Sequence, residues 1–153
     1  MTIYLRSTLA LAITAVVALS AAASARAKPV VNVTRGQLGL HGYDAVAYWT
    51  DGRPTRGAAD FEHHWNGAVW RFASAANRDT FAKDPARYAP QFGGYCAYAV
   101  SRGYTADIDP NAWRIVDGRL YLNYSKRVQA LWEKDVAGNI AKGRANWPGV
   151  LEK

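Results

Sequence analysis

Sulfur is scarce in this chain: its 153 residues include one cysteine, Cys96, and one methionine. A single cysteine excludes an internal disulfide and a Cys-x-x-Cys redox pair. The sequence also lacks the Gly-x-Ser-x-Gly, His-Glu-x-x-His and phosphate-binding glycine-loop motifs. These absences favour a non-enzymatic protein and leave a thiol-based enzyme or redox sensor built on Cys96 as the lesser alternative.

Long apolar runs are absent after residue 27. The apolar run at residues 9–23 follows Arg6 and ends near the small-x-small pattern Ala-Arg-Ala at residues 25–27. It is shorter than the roughly 20 residues that span a bilayer. We therefore predict a signal peptide at residues 1–27 and one domain at residues 28–153, placed in the periplasm or secreted, with an uncleaved membrane anchor as the alternative.

Acidic residues are fewer than basic ones, 12 against 19. Loss of Arg6 and Arg26 with the signal peptide leaves 17 basic residues and a net charge of +5. These charges are scattered rather than blocked, which is typical of a solvated surface. We predict no nucleic-acid partner and no transmembrane segment after cleavage. An envelope protein and a transition metal are the candidate partners.

Aromatic residues are plentiful, with six tryptophans and nine tyrosines, and they indicate a core built largely of rings. Asn-Gly at residues 66–67 and Asp-Gly at residues 117–118 are strong two-residue turn signals. They predict β-hairpins at residues 61–72 and 113–122. Together these predict a small antiparallel sheet in an α+β fold, packed with short helices and a C-terminal amphipathic helix.

The first turn fixes a register for its hairpin. The expected cross-strand pairs are Phe61–Phe72, Glu62–Arg71, His63–Trp70, His64–Val69 and Trp65–Ala68. Because side chains alternate between the two faces of a strand, His63 lies on the aromatic face and His64 on the other. The two adjacent histidines are therefore poorly placed to chelate one ion together.

Capping residues predict the helices. Ser74 is expected to cap a helix that runs to Lys83, and Ser125 one that runs to about Asn146, where Trp147-Pro148 ends it. Asp44 suits the N-terminus of a short helix. A further short helix over residues 95–102 places Cys96 in its first turn, where the helix dipole favours a thiolate.

The lone thiol has three alternative fates. Cys96 is a buried inert thiol, a partner in an intermolecular disulfide, or a reactive group or soft metal ligand. His63 is either a satisfied core residue or a ligand. The candidate metal ligands are Cys96, His63 and His41, and this donor set suits copper first and zinc second.

Several strings, in this order and spacing, resemble the YHS domain family in its exported bacterial form. They lie at residues 42–48 (GYDAVAY), 66–74 (NGAVWRFAS), 81–88 (FAKDPARY), 93–97 (GGYCA), 117–123 (DGRLYLN) and 146–147 (NW). The resemblance implies a small α+β domain associated with metal handling. Members occur as modules of copper-transporting ATPases and alongside multicomponent monooxygenases.

The chain departs from the family at its cysteines. Ala47, Ala73 and Asn77 stand where the metal-linked members carry thiols. The first hypothesis is a periplasmic, non-enzymatic YHS protein that binds or hands off copper through Cys96 and His63, with His41 as a third ligand. The alternative is a metal-free accessory module that recognises a small molecule or protein partner through its aromatic surface.

Overall fold

The computed structural model describes residues 27–153, so the predicted signal peptide, apart from Ala27, lies outside the described residues. Within that range, no helix is long and apolar enough to cross a membrane. The α+β fold class is confirmed.

The strands are β1 (Ala58–Trp65), β2 (Ala68–Phe72), β3 (Asp109–Val116) and β4 (Arg119–Asn123). The α-helices are α1 (Ala47–Thr50), α2 (Ala75–Lys83), α3 (Pro85–Tyr88), α4 (Ala97–Ser101), α5 (Lys126–Glu133) and α6 (Val136–Asn146).

The first hairpin has the predicted register over most of its length. The confirmed pairs are Glu62–Arg71, His63–Trp70, His64–Val69 and Trp65–Ala68. The expected Phe61–Phe72 pair is wrong, because a register shift between Ala58 and Glu62 places Ala58 opposite Phe72. Such an irregularity adds residues to one strand and bends it.

The second hairpin also follows its turn signal. Its pairs include Trp113–Leu122, Arg114–Tyr121 and Ile115–Leu120. Asp117 and Gly118 both have positive φ, 48° and 69°, as this two-residue turn requires. Each hairpin is its own two-stranded sheet, and in residues 27–153 the two do not pair with each other into one sheet.

The helix caps are confirmed, but the C-terminal helix is not continuous. Ser74 Oγ accepts a hydrogen bond from Asn77 N at 3.1 Å, and Ser125 Oγ accepts one from Val128 N at 3.2 Å. The predicted helix from Ser125 to Asn146 breaks into α5 and α6. Asp135 starts α6 by accepting from Gly138 N at 2.9 Å, and this capping conformation (φ −151°, ψ 73°) is not helical.

Two apolar cores lie on opposite sides of β4. Leu120 and Leu122 belong to the core that contains Trp70 and Phe81. Tyr121, between them in sequence, belongs to the second core, which α5 and α6 help to build. Strand alternation explains the division, since successive side chains point to opposite faces. β4 is therefore covered on both faces.

Candidate functional site

His41, a predicted metal ligand, is hydrogen-bonded to a carboxylate. It lies in the 3-10 turn Leu40–Gly42, and its Nε2 is 2.7 Å from Asp107 Oδ1. Burial acts to raise the pKa of Asp107, but hydrogen bonds from Asn32, the Ile108 backbone and His41 outweigh it and lower the pKa. The pair is a polar contact between the turn and the segment before β3.

His63 and His64 point in opposite directions, as predicted. His63 is half-buried opposite Trp70, and its ring lies edge-on to Phe81 with centroids 6.0 Å apart. His64 is exposed opposite Val69. His63 is therefore packed as part of the aromatic face of the first hairpin.

Cys96 is the N-cap residue of α4 and is only 1% exposed. Its Sγ accepts from Tyr124 N at 3.3 Å and donates to Asn123 Oδ1 at 3.7 Å. Burial raises the pKa of the thiol, and backbone hydrogen bonds from residues 98, 99 and 124 only partly oppose it. The expectation of a favoured thiolate is wrong, because desolvation of the thiol outweighs these hydrogen bonds.

The three predicted ligands thus have separate surroundings. His41 contacts Asp107, His63 packs on Phe81, and Cys96 contacts Asn123 and Tyr124. Over residues 27–153, no three side chains of His, Cys, Asp or Glu lie close enough together to hold a metal ion. A copper or zinc centre made of all three residues would need a different arrangement of the chain.

Positions 47, 73 and 77, where the resembling family carries cysteines, do come together. They surround the carboxylate of Asp44, which is fully buried. Asp44 Oδ1 accepts from Val46 N at 2.8 Å and from Ala47 N at 3.1 Å. Asp44 Oδ2 accepts from Ala73 N and from Asn77 Nδ2, both at 2.8 Å. The carboxylate caps α1, as predicted, and also ties it to the start of α2.

Cys96 borders a small pocket of about 240 Å³. Its walls are largely apolar, and they include two tyrosines, Tyr104 and Tyr124, that are 51% and 58% exposed. The thiol lines this pocket, although Cys96 as a whole is only 1% exposed. The lining of the pocket therefore includes one sulfur atom and several aromatic rings.

A larger cleft of about 390 Å³ lies where the two hairpins approach the N-terminal segment and the end of α6. Its aromatic and cationic lining residues are Trp65, Trp70, Phe92, Trp147, Arg119 and Arg144. Trp70 Nε1 donates to Trp65 O at 3.0 Å, which fixes one indole in place. Within the described chain, the lining contains no carboxylate, imidazole, thiol or hydroxyl side chain.

Close backbone packing shapes this cleft at two glycines. A Cβ on Gly93 would collide with Val30 O and meet the Trp147 ring at 3.1 Å, and its φ is +60°. A Cβ on Gly143 would lie 2.6 Å from Phe92 Cζ. Gly143 therefore lets α6 approach Phe92, and Gly93 lets both Val30 and the Trp147 ring lie close to its own backbone.

The sequence does not predict the cleft. The pattern around Trp147 predicts only the end of a helix. The pattern around Arg119 predicts only a strand residue that follows a turn. The one available signal is the high tryptophan content, because a half-buried indole such as Trp147 presents a ring face to a ligand. No family model, curated protein or solved structure matches this chain.

Proposed function

We propose that this chain is a non-enzymatic binding module that holds a small planar molecule in the aromatic cleft. The observation that carries the proposal is the lining of this cleft of about 390 Å³. The indoles of Trp65 and Trp147 are half-buried there, whereas the rings of Trp70 and Phe92 are 1% and 7% exposed. Within the described chain, the lining has no carboxylate, imidazole, thiol or hydroxyl side chain to act as nucleophile or general base. Such a surface provides stacking and apolar burial rather than bond chemistry.

The experiment uses 2-naphthamide, a neutral planar probe, titrated into the folded chain. We expect saturable binding with a Kd of about 1 mM or tighter. The indole N–H signals of Trp65, Trp70 and Trp147 should shift in ¹⁵N-correlated NMR spectra, while that of Trp132, in the second core, stays in place. Absence of saturable shifts with this probe and with its acid, 2-naphthoate, would overturn the proposal.

Two variants test whether the probe binds in the cleft, and both are compared as folded proteins. Trp147→Ala removes one wall, and Ala86→Trp adds bulk at an exposed residue that lines the cleft. Both should weaken probe binding. Ala82→Trp is the matched control, because Ala82 is exposed on α2 and does not line the cleft. Equal binding by all three folded variants would contradict the proposed location.

Copper binding at Cys96 is the second candidate function, and one observation favours it: the thiol borders a pocket. Cys96 would be the soft ligand. Cu(I) titration of the wild type, Cys96→Ser and His63→Ala tests it. Tight binding lost in both variants would support shared ligation by Cys96 and His63, whereas loss in Cys96→Ser alone would support the thiol without His63. A wild type that takes up no Cu(I) would refute it.

We also propose that the fold is of the YHS type and acts outside the cytoplasm. The meeting of positions 47, 73 and 77 around one carboxylate supports the first part, since these positions lie up to 30 residues apart in the chain. The second part rests on the sequence of residues 1–27. N-terminal sequencing of the exported protein tests it, with Lys28 the expected first residue.

A further inference from the structure

Two arginines line the aromatic cleft from different elements. Arg119 is the first residue of β4, and Arg144 is in the last turn of α6. Both residues are exposed, but each belongs to an element that packs against the cores. β4 is covered on both faces by the two cores, and α6 is packed against Phe92 at Gly143.

Neither guanidinium is neutralised by the part of the chain that the structure describes. Arg71 pairs with Glu62 at 2.8 Å and Arg114 with Glu133 at 3.5 Å, whereas Arg119 and Arg144 have no carboxylate within 4.0 Å among residues 27–153. Asp84 and Asp117 line a neighbouring depression together with Arg119, and neither of them lines the cleft. The cleft therefore carries positive charge next to its rings.

Resting on the proposed small-molecule function, we infer that the cleft binds an aromatic carboxylate, with its ring against the indoles and its charge at Arg119 and Arg144. A guanidinium presents a planar fork of donors that matches a carboxylate. The lining has no lysine, serine or threonine, and it is mainly apolar. This chemistry suits an acid with an apolar planar body better than a phosphate.

The experiment compares 2-naphthoate with 2-naphthamide, which share a ring system and differ in charge. We expect the acid to bind about tenfold more tightly than the amide to the wild type. Arg119→Gln and Arg144→Gln should each reduce this preference, measured as the ratio of the two Kd values for the same variant. Arg127→Gln is the matched control, because Arg127 is exposed on α5 and does not line the cleft.

Salt gives a second measurement. Higher ionic strength should weaken binding of the acid and leave that of the amide unchanged, since exposed charges are screened. If both probes bind with equal affinity, the carboxylate inference fails while the binding function stands. If neither probe binds, both the proposed binding function and the carboxylate inference fail. If all three arginine variants lose the preference equally, the effect is one of overall charge and the inference is wrong.

Discussion

At the scale of single residues, Asp44 shows how much one buried carboxylate can organise. Its oxygens accept four hydrogen bonds from positions 46, 47, 73 and 77. Since the carboxylate is fully buried, these donors replace the hydrogen bonds that water would otherwise make to it. An aspartate before a short helix predicts the cap on α1. Nothing local predicts the contacts to Ala73 and Asn77, which depend on tertiary structure.

Asp44→Asn should destabilise the protein by about 3 kcal/mol, because an amide group would place a donor against donors in a buried site. Urea unfolding followed by far-UV circular dichroism measures this free energy. Asp79→Asn is the control, since that side chain is 60% exposed and pairs only with Arg78. The control should change stability by less than about 0.5 kcal/mol. Equal effects of the two changes would contradict the role of Asp44.

Tyr48 is the residue whose ionisation opposes folding most clearly. Its hydroxyl donates to Pro110 O at 2.9 Å inside the core. Burial raises the pKa of Tyr48, and negative charge at Tyr43, Asp109 and Asp44 adds to the effect. The folded state therefore favours the neutral phenol. Its stabilising contribution is complete below the ordinary pKa of about 10 and is lost as pH rises above it.

Tyr48→Phe should make stability less sensitive to alkali. At neutral pH the variant loses about 1 kcal/mol with the hydrogen bond. Between about pH 9 and 11 the wild type should lose stability with a slope that approaches about 1.4 kcal/mol per pH unit more than that of the variant. Denaturant unfolding at several pH values measures both slopes. Tyr124→Phe, an exposed control, should follow the wild type, and parallel slopes for Tyr48→Phe would refute the assignment.

At the scale of elements, local signals predict where the elements start and turn. Asn66-Gly67 and Asp117-Gly118 fix two registers because few other residue pairs tolerate positive φ at both positions. The predictions that are wrong concern places where tertiary contacts determine the strand pairing or the start of a helix. Ala58 replaces Phe61 opposite Phe72, and Asp135 starts a new helix where the apolar spacing is compatible with one continuous helix.

The close approach of α6 to Phe92 gives a prediction at this scale. Gly143→Ala normally favours a helix by about 1 kcal/mol, but its methyl group would lie 2.6 Å from the Phe92 ring. We expect a net loss of about 1–2 kcal/mol in unfolding free energy and weaker 2-naphthamide binding, because Phe92 lines the cleft. Gly149→Ala, which adds a methyl group in open space, is the control. A stabilised Gly143→Ala protein would contradict the tight packing.

At the scale of the whole molecule, the candidate site could not be predicted from the sequence. Its lining comes from residues near 30, 65, 90, 119 and 147, and hydrophobic periodicity contains no information on distances between such remote segments. The predicted ligands His41, His63 and Cys96 illustrate the same limit. Their chemistry can be read from residue type, whereas their separation depends on how the turn at Leu40–Gly42, the first hairpin and α4 pack.

The position of β4 between the two cores connects both cores to the proposed ligand site. Arg119 begins this strand, Leu120 and Leu122 are embedded on one side, and Tyr121 on the other. Because Leu120, Tyr121 and Leu122 directly follow Arg119, both cores contribute to holding the start of the strand that carries this guanidinium. Substitutions far from the cleft, in whichever core they fall, should therefore alter selectivity for charged ligands even where the rings of the cleft remain untouched.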